Sequence, residues 1–207
     1  MNKTLSTLLI LLTLTLSTSC GARKTTPKPN PLTTDPGVTI NGITWATRNV
    51  DAPGTFAANP EDAGMLFQWN RRKGWNAVDE FVESWDNSYS TGTEWYAEND
   101  PCPQGWRVPT EIELDLLIGA GHIWTTLNDI NGRTFGTYPN QIFLPVAGWR
   151  SGGSGVLKNG TWGNYQSSAQ GGIFSARVWG LGFSRISVTV GTFQLADGLS
   201  IRCVKIK

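Results

Sequence analysis

The chain has 207 residues, of which 39% are hydrophobic, and this is enough for one domain with its own core. It carries 17 basic and 16 acidic residues, a balance that excludes the basic surface of a typical nucleic-acid-binding protein. One histidine and three cysteines in no Cys-x-x-Cys spacing argue against a zinc site. We therefore predict no metal, no cofactor and no nucleic-acid partner.

The N-terminal segment, residues 1–19, has the composition of an export signal. Lys3 is followed by an apolar run from Leu5 to Leu16 and by the small residues Ser17–Ser19. A run of about 12 residues is too short to span a bilayer as a helix and is typical of a cleaved signal peptide. The pattern predicts that the protein is exported.

Cys20 stands where a bacterial lipoprotein signal, which this segment resembles, has its lipidated cysteine. An ordinary secretory signal that ends near a cysteine is the alternative. We predict lipidation of Cys20, attachment to the outer membrane, and a disordered tether over residues 20–36 with four prolines. Arg23-Lys24 stand where surface lipoproteins of Bacteroides-like cells often have acidic residues, so cell-surface and periplasmic locations both stay open.

The predicted domain, residues 37–207, begins with short strands and long loops. Asn41-Gly42 between two strand-like runs is a strong hairpin signal, and the apolar run over residues 64–70 predicts a buried strand. Residues 71–100 have no clean period and are rich in Asn, Ser, Asp and Gly, which indicates long loops with a turn or two of helix. The tryptophans predicted to hold these loops by packing into the core are Trp75, Trp85 and Trp95.

One helix is clearly predicted, and it begins after Thr110. Thr110 and Glu113 form a capping box, and Gly119 and Gly121 end the helix. The residues predicted to form its apolar face are Ile112, Leu114, Leu116 and Leu117.

Beyond Gly121 the sequence predicts short strands separated by glycine-rich turns. The runs are residues 143–149, 185–190 and 199–206. The predicted fold class is therefore α+β, with few helices, short strands and long loops held by tryptophans.

The cysteines are consistent with one disulfide. If Cys20 carries lipid, Cys102 and Cys203 remain as an even pair in an oxidising compartment. A disulfide between them is then the default inference, and two free buried thiols are the alternative.

Signatures of catalysis are not found in the sequence. Ser154 does not lie in a G-x-S-x-G motif, because Val156 occupies the last position. His122 could act as a base, but a loop or boundary position is the plainer interpretation. Adjacent acidic residues are interpreted as solvated surface rather than as a glycosidase pair. We predict that the protein is not an enzyme.

Several stretches resemble, in order, the landmarks of the FISUMP-type domain, a paralogous family of bacterial surface and exported lipoproteins. They are VTINGITWATRNV, GMLFQWN, NDPCPQGWRVPTEIELDLL, NGRTFG, FLPVAGWR, GNYQSS and GLSIRCV, between about Val38 and Val204. The resemblance implies a C-type-lectin-like fold. It also implies a disulfide between the cysteine of the Cys-Pro-x-Gly-Trp motif, Cys102, and the one near the end, Cys203.

The same resemblance implies a variable binding surface. Related proteins include targets of diversity-generating retroelements, in which a C-terminal segment is rewritten while the scaffold is kept. Ser167-Ser168 and the closing Arg202 to Val204 match the framework, and the interior departs from the family pattern. This gives a variable segment over about residues 164–197, a pattern that both diversification and ordinary drift produce.

Alternation within this segment predicts which side chains are presented. Large residues alternate with Val178, Gly180 and Gly182, which we interpret as a strand with its bulk outward; core packing of that bulk is the alternative. In residues 185–190, Ile186, Val188 and Val190 are predicted to face the core. The predicted binding residues are Asn164, Gln166, Ile173, Phe174, Arg177, Trp179, Leu181, Phe183, Arg185, Ser187 and Thr189.

The sequence thus predicts a lipid-anchored, non-enzymatic protein that binds an unknown protein or glycan ligand. A glycan-active hydrolase and a self-assembling structural surface protein are the alternatives.

Overall fold

The described residues of the computed structural model, 33–171 and 176–206, form many short strands and one α-helix. They belong to one unit of the chain, Pro31–Lys207. The helix α1 spans Glu111–Gly119, and a 3-10 turn covers Ala97–Asn99. This largely β structure agrees with the prediction of short strands and little helix. The strands are β1 (Val38–Ile40), β2 (Ile43–Trp45), β3 (Met65–Phe67), β4 (Gly74–Asn76), β5 (Trp106–Arg107), β6 (His122–Leu127), β7 (Ile130–Thr137), β8 (Asn140–Pro145), β9 (Trp149–Arg150), β10 (Leu157–Lys158), β11 (Gly163–Gln170), β12 (Arg177–Phe183), β13 (Val188–Gln194) and β14 (Val204–Lys205).

The strands form small antiparallel sheets. The described sheets are β1-β2-β14-β5, β6-β7-β8, β11-β12-β13, β3-β4 and β9-β10. In the first of them Val204 near the C-terminal end pairs with Trp45 and with Arg107. The beginning and the end of the described chain are therefore held in one sheet.

The hairpin predicted at Asn41-Gly42 is confirmed. Both residues have positive φ, 50° and 78°, and the flanking strands β1 and β2 pair in register. Two consecutive residues of positive φ are what a tight hairpin turn requires, and Asn-Gly adopts them at low cost.

The folded part begins before Gly37. Asp35, which the sequence places in the tether, accepts hydrogen bonds from the backbone N–H and hydroxyl of Thr47, both at 2.9 Å, and forms an ion pair with Arg48 at 2.9 Å. The carboxylate therefore fixes this end of the chain against the residues that follow β2.

The segment between β3 and β5 contains the strand β4, which was not predicted, and its long loops are held by tryptophans, as predicted. The rings of Trp75 and Trp85 lie 4.8 Å apart, and the Trp85 Nε1 donates to the carbonyl of Gly152 at 2.7 Å. Trp95 packs edge-on against the fully buried Trp69 at 6.0 Å. These contacts join the loops to distant parts of the chain.

The helix prediction is confirmed at its start and in part on its face. The Thr110 hydroxyl accepts from the backbone of Glu113, whose carboxylate accepts in return from the Thr110 backbone at 2.8 Å. Leu114 and Leu117 are buried, but Ile112 and Leu116 are exposed, so the predicted apolar face was too wide. A short surface helix buries one narrow stripe, and residues 112 and 116 lie on its other side.

Two predictions about strands need correction. Residues 185–187 are not a strand, because Ser184 N–H bonds the carbonyl of Ser187 at 2.8 Å and closes a turn. Ile186 at this turn is 95% exposed, whereas Val188 and Val190, beyond it, pack against the core as predicted. The sheet β6-β7-β8 was predicted only at its last strand, although Asn128 and Asp129 turn between β6 and β7 with positive φ.

The disulfide between Cys102 and Cys203 is confirmed, with a Cα–Cα distance of 6.1 Å. It lies in a buried cluster with Phe56, Phe67 and Ile201. A second, larger cluster contains Leu114 of the helix and the inner side chains of β7, β8, β11 and β12.

A buried arginine joins the terminal strand to the rest of this core. Arg202 is fully buried and donates to Asn49 Oδ1 at 3.0 Å and to the carbonyl of Phe143 at 3.0 Å. Asn49 also donates to the hydroxyl of Tyr165, whose pKa burial raises to about 12. The protonated hydroxyl donates to the carbonyl of Pro145 at 3.0 Å, so the network is fixed by donors and acceptors that match.

Candidate functional site

The sheet β11-β12-β13 carries the segment in which binding was predicted, and its two faces differ. Pairing across the strands places Leu181 beside Val190 and Tyr165 on one face. It places Gly180 beside Gly191 on the other. The inner face contacts α1 and β7. The outer face is covered at Val178, which is buried against Trp69 and Leu195, and is open above Gly191.

The expectation that the bulk of β12 points outward is wrong for Leu181 and Phe183. Both are completely buried. The Phe183 ring packs against Phe135 at 5.8 Å and against Tyr165 at 6.0 Å. The alternation of β12 was predicted correctly, but α1 and β7 cover the face of the large residues and bury them.

Asn164 and Gln166, also predicted to be presented, are buried as well. Gln166 has no exposed surface, and its amide fits between the carbonyl of Phe67 and the N–H of Trp69, at 3.0 and 3.1 Å. Its role is therefore to join β11 to β3. Asn164 is 3% exposed and has a different environment, described below.

The other predicted residues fall into three groups. Ile173 and Phe174 lie outside the described residues. Trp179 is half-buried, and its carbonyl accepts from the Ser167 hydroxyl at 2.7 Å. The remaining ones reach solvent at least in part, two of them in the β12–β13 turn: Arg177, Arg185, Ser187 and Thr189.

A groove of about 370 Å³ lies over the outer face, and we call it the first groove. Gly182 and Gly191 form part of its floor. A Cβ placed on Gly191 would meet nothing within 4 Å, and one on Gly182 would make only ordinary contacts at 3.4 Å. The floor is therefore flat because side chains are missing there, and the space above Gly191 is open.

Aromatic rings border this floor. Trp149 comes from β9, Trp162 from the residue before β11, and Phe193 from β13. The Phe193 ring lies over the glycines of β12, because a Cβ on Gly180 would come within 3.0 Å of it. Trp162 is 37% exposed.

Polar groups lie between the rings. The buried side-chain amide of Asn164 lines the first groove and makes no hydrogen bond within the described part of the chain. At the rim, Arg177 donates to the hydroxyl and the carbonyl of Thr192, at 2.7 and 2.6 Å. Asp197 accepts from the backbone N–H groups of Gly152 and Gln194, and its burial raises its pKa.

A second groove of about 480 Å³ also has Trp162 in its lining. It is lined by Trp124 of β6 and by Arg185 and Ile186 of the β12–β13 turn, among others. Trp162 is therefore the residue that the two grooves share.

Arg133 fixes the backbone of two residues that line the second groove. It donates to the carbonyls of Ser184 and Arg185, at 2.7 and 3.1 Å, and so holds the turn in place. Its Nη1 also lies 2.9 Å from the Nδ1 of His122. Burial and the neighbouring Arg133 charge hold the pKa of His122 below its usual value, so the neutral ring accepts this hydrogen bond. His122 thus has a structural contact at the start of β6.

A third depression, near the 3-10 turn, is larger but less suited to a ligand. Its volume is about 520 Å³ and it contains Arg71, Arg72 and Lys73. These cations already have partners: Arg71 pairs with Asp86, Lys73 lies 3.8 Å from the Trp75 ring, and Arg72 donates to a backbone carbonyl. We therefore assign the candidate site to the first and second grooves.

Sequence reasoning missed most of the residues that border these grooves. Trp149 and Trp162 both precede the predicted segment of residues 164–197, and Asp197 is the last residue of that segment. The available signal was the spacing of Gly180, Gly182 and Gly191, because small residues on one face of a sheet leave room for something else.

Among residues 33–171 and 176–206, no cluster of His, Cys, Asp and Glu is arranged to hold a metal ion. None of their helices has the length and apolar character needed to cross a membrane.

Compared with protein-family models, with curated proteins and with solved structures, the chain matches none of them.

Proposed function

We propose that the protein is a lipid-anchored, extracytoplasmic binding protein that takes its ligand in the first groove. The observation that carries this proposal is the amide of Asn164, which is almost fully buried, lines the groove and has no described protein partner. A polar ligand in the groove can pair with this amide in place of water.

The shape of the floor supports the same proposal. Glycine in a strand contributes no packing and is less stable there than alanine by roughly 0.5–1 kcal/mol. Gly191 has open space where a side chain would fit, so packing within the protein does not explain it. Access of a ligand to the floor between Trp149, Trp162 and Phe193 does.

The groove is better suited to binding than to hydrolysis. Glycosidases need two carboxyl groups on either side of the scissile bond. Among the described residues that line the first groove, Asp197 is the one carboxylate, and both of its oxygens accept backbone hydrogen bonds. This arrangement favours a rigid rim over an acid–base pair.

The resemblance to the FISUMP-type domain extends the proposal to fold and variability. It supports a C-type-lectin-like domain whose segment of about residues 164–197 is a diversified binding surface. All residues lining the first groove except Trp149 and Trp162 come from this segment. A template copy beside a reverse-transcriptase gene, differing from this segment at template adenines, is the expected genomic finding; a genome without one removes diversification from the proposal.

The binding function is tested on an array of printed glycans and extracellular proteins, with the full chain carrying Cys20→Ser to prevent lipid attachment. We expect a ligand that binds the wild-type surface, is lost with Gly191→Val, which fills the groove, and is kept with Gly119→Val. Gly119 is a matched control because it is exposed, also has open space around it and lies at the end of α1. No ligand, or equal binding by Gly191→Val, contradicts the proposal.

The anchor is tested separately. Cells that express the unmodified chain are expected to retain the protein in the membrane fraction and to attach an alkyne-labelled fatty acid to it. Cys20→Ser is expected to remove both. Labelling that persists in Cys20→Ser contradicts lipidation at this residue.

A further inference from the structure

We propose that the first and second grooves are adjoining subsites for an oligosaccharide, with the indole of Trp162 between neighbouring sugar units. This inference rests on the binding function proposed above and names its ligand class. The two grooves share Trp162, so a ligand longer than one unit can occupy both.

The aromatic rings fit this ligand class. Trp149, Trp162 and Phe193 border the first groove, and Trp124 and Trp162 border the second. The C–H groups on one face of a pyranose ring pack on an indole or phenyl face, while its hydroxyls project from the edge. Rings separated by polar groups therefore match a chain of sugar units.

The polar groups fit the hydroxyls. An asparagine amide offers both donors and acceptors, and a sugar hydroxyl is itself donor and acceptor. The unpartnered amide of Asn164 lies at the floor, and the exposed amide of Gln194 lies at the rim of the same groove. A hydroxyl-rich ligand satisfies both without bringing a charge into the groove.

Charge and backbone pairing disfavour other ligands. The charges at the first groove are balanced, with Arg177 near Asp197, which does not favour nucleic acid or a strongly acidic peptide. The floor strand β12 pairs with β11 on one side and β13 on the other, so its backbone groups cannot accept an added peptide strand. Contacts on the floor strand therefore come from side chains.

The test is a titration of the full chain carrying Cys20→Ser with cello-, malto-, xylo- and chito-oligosaccharides, from monosaccharide to hexasaccharide, followed by tryptophan fluorescence and calorimetry. We expect at least one series to bind, with an affinity that rises about tenfold or more beyond the monosaccharide and then levels off. The rise in affinity reports the second subsite.

Variants locate the subsites. Gly191→Val is expected to weaken binding about tenfold or more, Gly119→Val to leave it unchanged, and Arg185→Ala to weaken only the longer members of the series. Trp162→Ala is expected to abolish the length dependence and Trp162→Phe to keep part of it; thermal melting checks that each variant is folded.

Three results overturn this inference: no series binds up to about 10 mM, the monosaccharide binds as tightly as the longer members, or Gly191→Val binds normally. A protein ligand on the array that Gly191→Val abolishes would leave the binding function standing and would remove only the saccharide. An array on which no ligand depends on Gly191 overturns both.

Discussion

The two faces of the β11-β12-β13 sheet come from the same three strands and are built in opposite ways. On the inner face Tyr165, Leu181 and Phe183 have no exposed surface and pack against α1 and β7. On the outer face Gly182 and Gly191 leave a flat floor below a groove. Successive residues of one strand therefore serve two purposes.

The comparison separates stability from recognition. Burial of apolar surface stabilises by roughly 25 cal/mol per Å², so the large inner side chains, together with Val178 at one end of the outer face, stabilise this sheet. The outer glycines do not, and they keep the space above the sheet free.

Removal of the inner ring of Phe183 should have the largest effect. Phe183→Ala leaves a cavity between Phe135 and Tyr165, and we expect the free energy of unfolding in urea to fall by about 3–5 kcal/mol. A loss under about 1 kcal/mol would mean that this face is not core and would break the comparison.

Removal of the disulfide should lower stability without changing recognition. Cys102 and Cys203 close a loop with a sequence separation of 101, and replacing both with serine should reduce the free energy of unfolding by about 2–5 kcal/mol. Because the pair lies in a different core cluster from the sheet, binding measured below the melting temperature should be unchanged. Altered affinity in the folded variant would show that the disulfide cluster affects the binding surface of the β11-β12-β13 sheet, which contradicts the prediction.

The outer glycines should differ among themselves. A Cβ on Gly180 would lie 2.6 Å from the backbone oxygen of Tyr165, so Gly180→Ala should destabilise by about 1–3 kcal/mol. On Gly182 the nearest atoms are at 3.4 Å, so Gly182→Ala should change thermal stability little or raise it slightly. Equal melting temperatures for the two variants would show that the floor is not positioned as described.

The free energy of unfolding should depend weakly on pH through the contact between His122 and Arg133, which holds the turn between β12 and β13. The folded pKa of His122 is below its unfolded value of about 6.5, because burial and the neighbouring Arg133 charge both disfavour the protonated ring. The unfolded chain then binds more protons, so this contribution to stability is present above about pH 6.5 and is lost as pH falls through the folded pKa. Urea unfolding at about pH 8 and pH 5 should show a smaller pH dependence for His122→Gln than for wild type. The same dependence in both would contradict the contact.

Features set by neighbouring residues could be predicted from the sequence. The turn at Asn41-Gly42 depends on two adjacent residues, and the cap of α1 depends on Thr110 and Glu113, three positions apart. The disulfide joins distant residues, but it could be predicted from the cysteine count and from the family resemblance.

Features set by distant packing could not be predicted. A period of two in β12 is the same whether Phe183 points to the core or to solvent, and the choice is made by α1 and β7, which lie far away in sequence. The walls of the groove pose the same problem, since Trp149 and Trp162 reach it from outside the predicted segment. The glycines were visible in the sequence, but their meaning depended on which face was covered.

The most direct test of the division between the two faces compares Gly191→Val with Leu181→Ala in two assays, urea unfolding and binding to the array ligand. We expect Gly191→Val to unfold within about 0.5 kcal/mol of wild type and to lose binding. Leu181→Ala, which removes a fully buried side chain, should lose about 2–5 kcal/mol of stability and keep its affinity where it is folded. Wild-type affinity in Gly191→Val, or lost affinity in folded Leu181→Ala, would contradict the account.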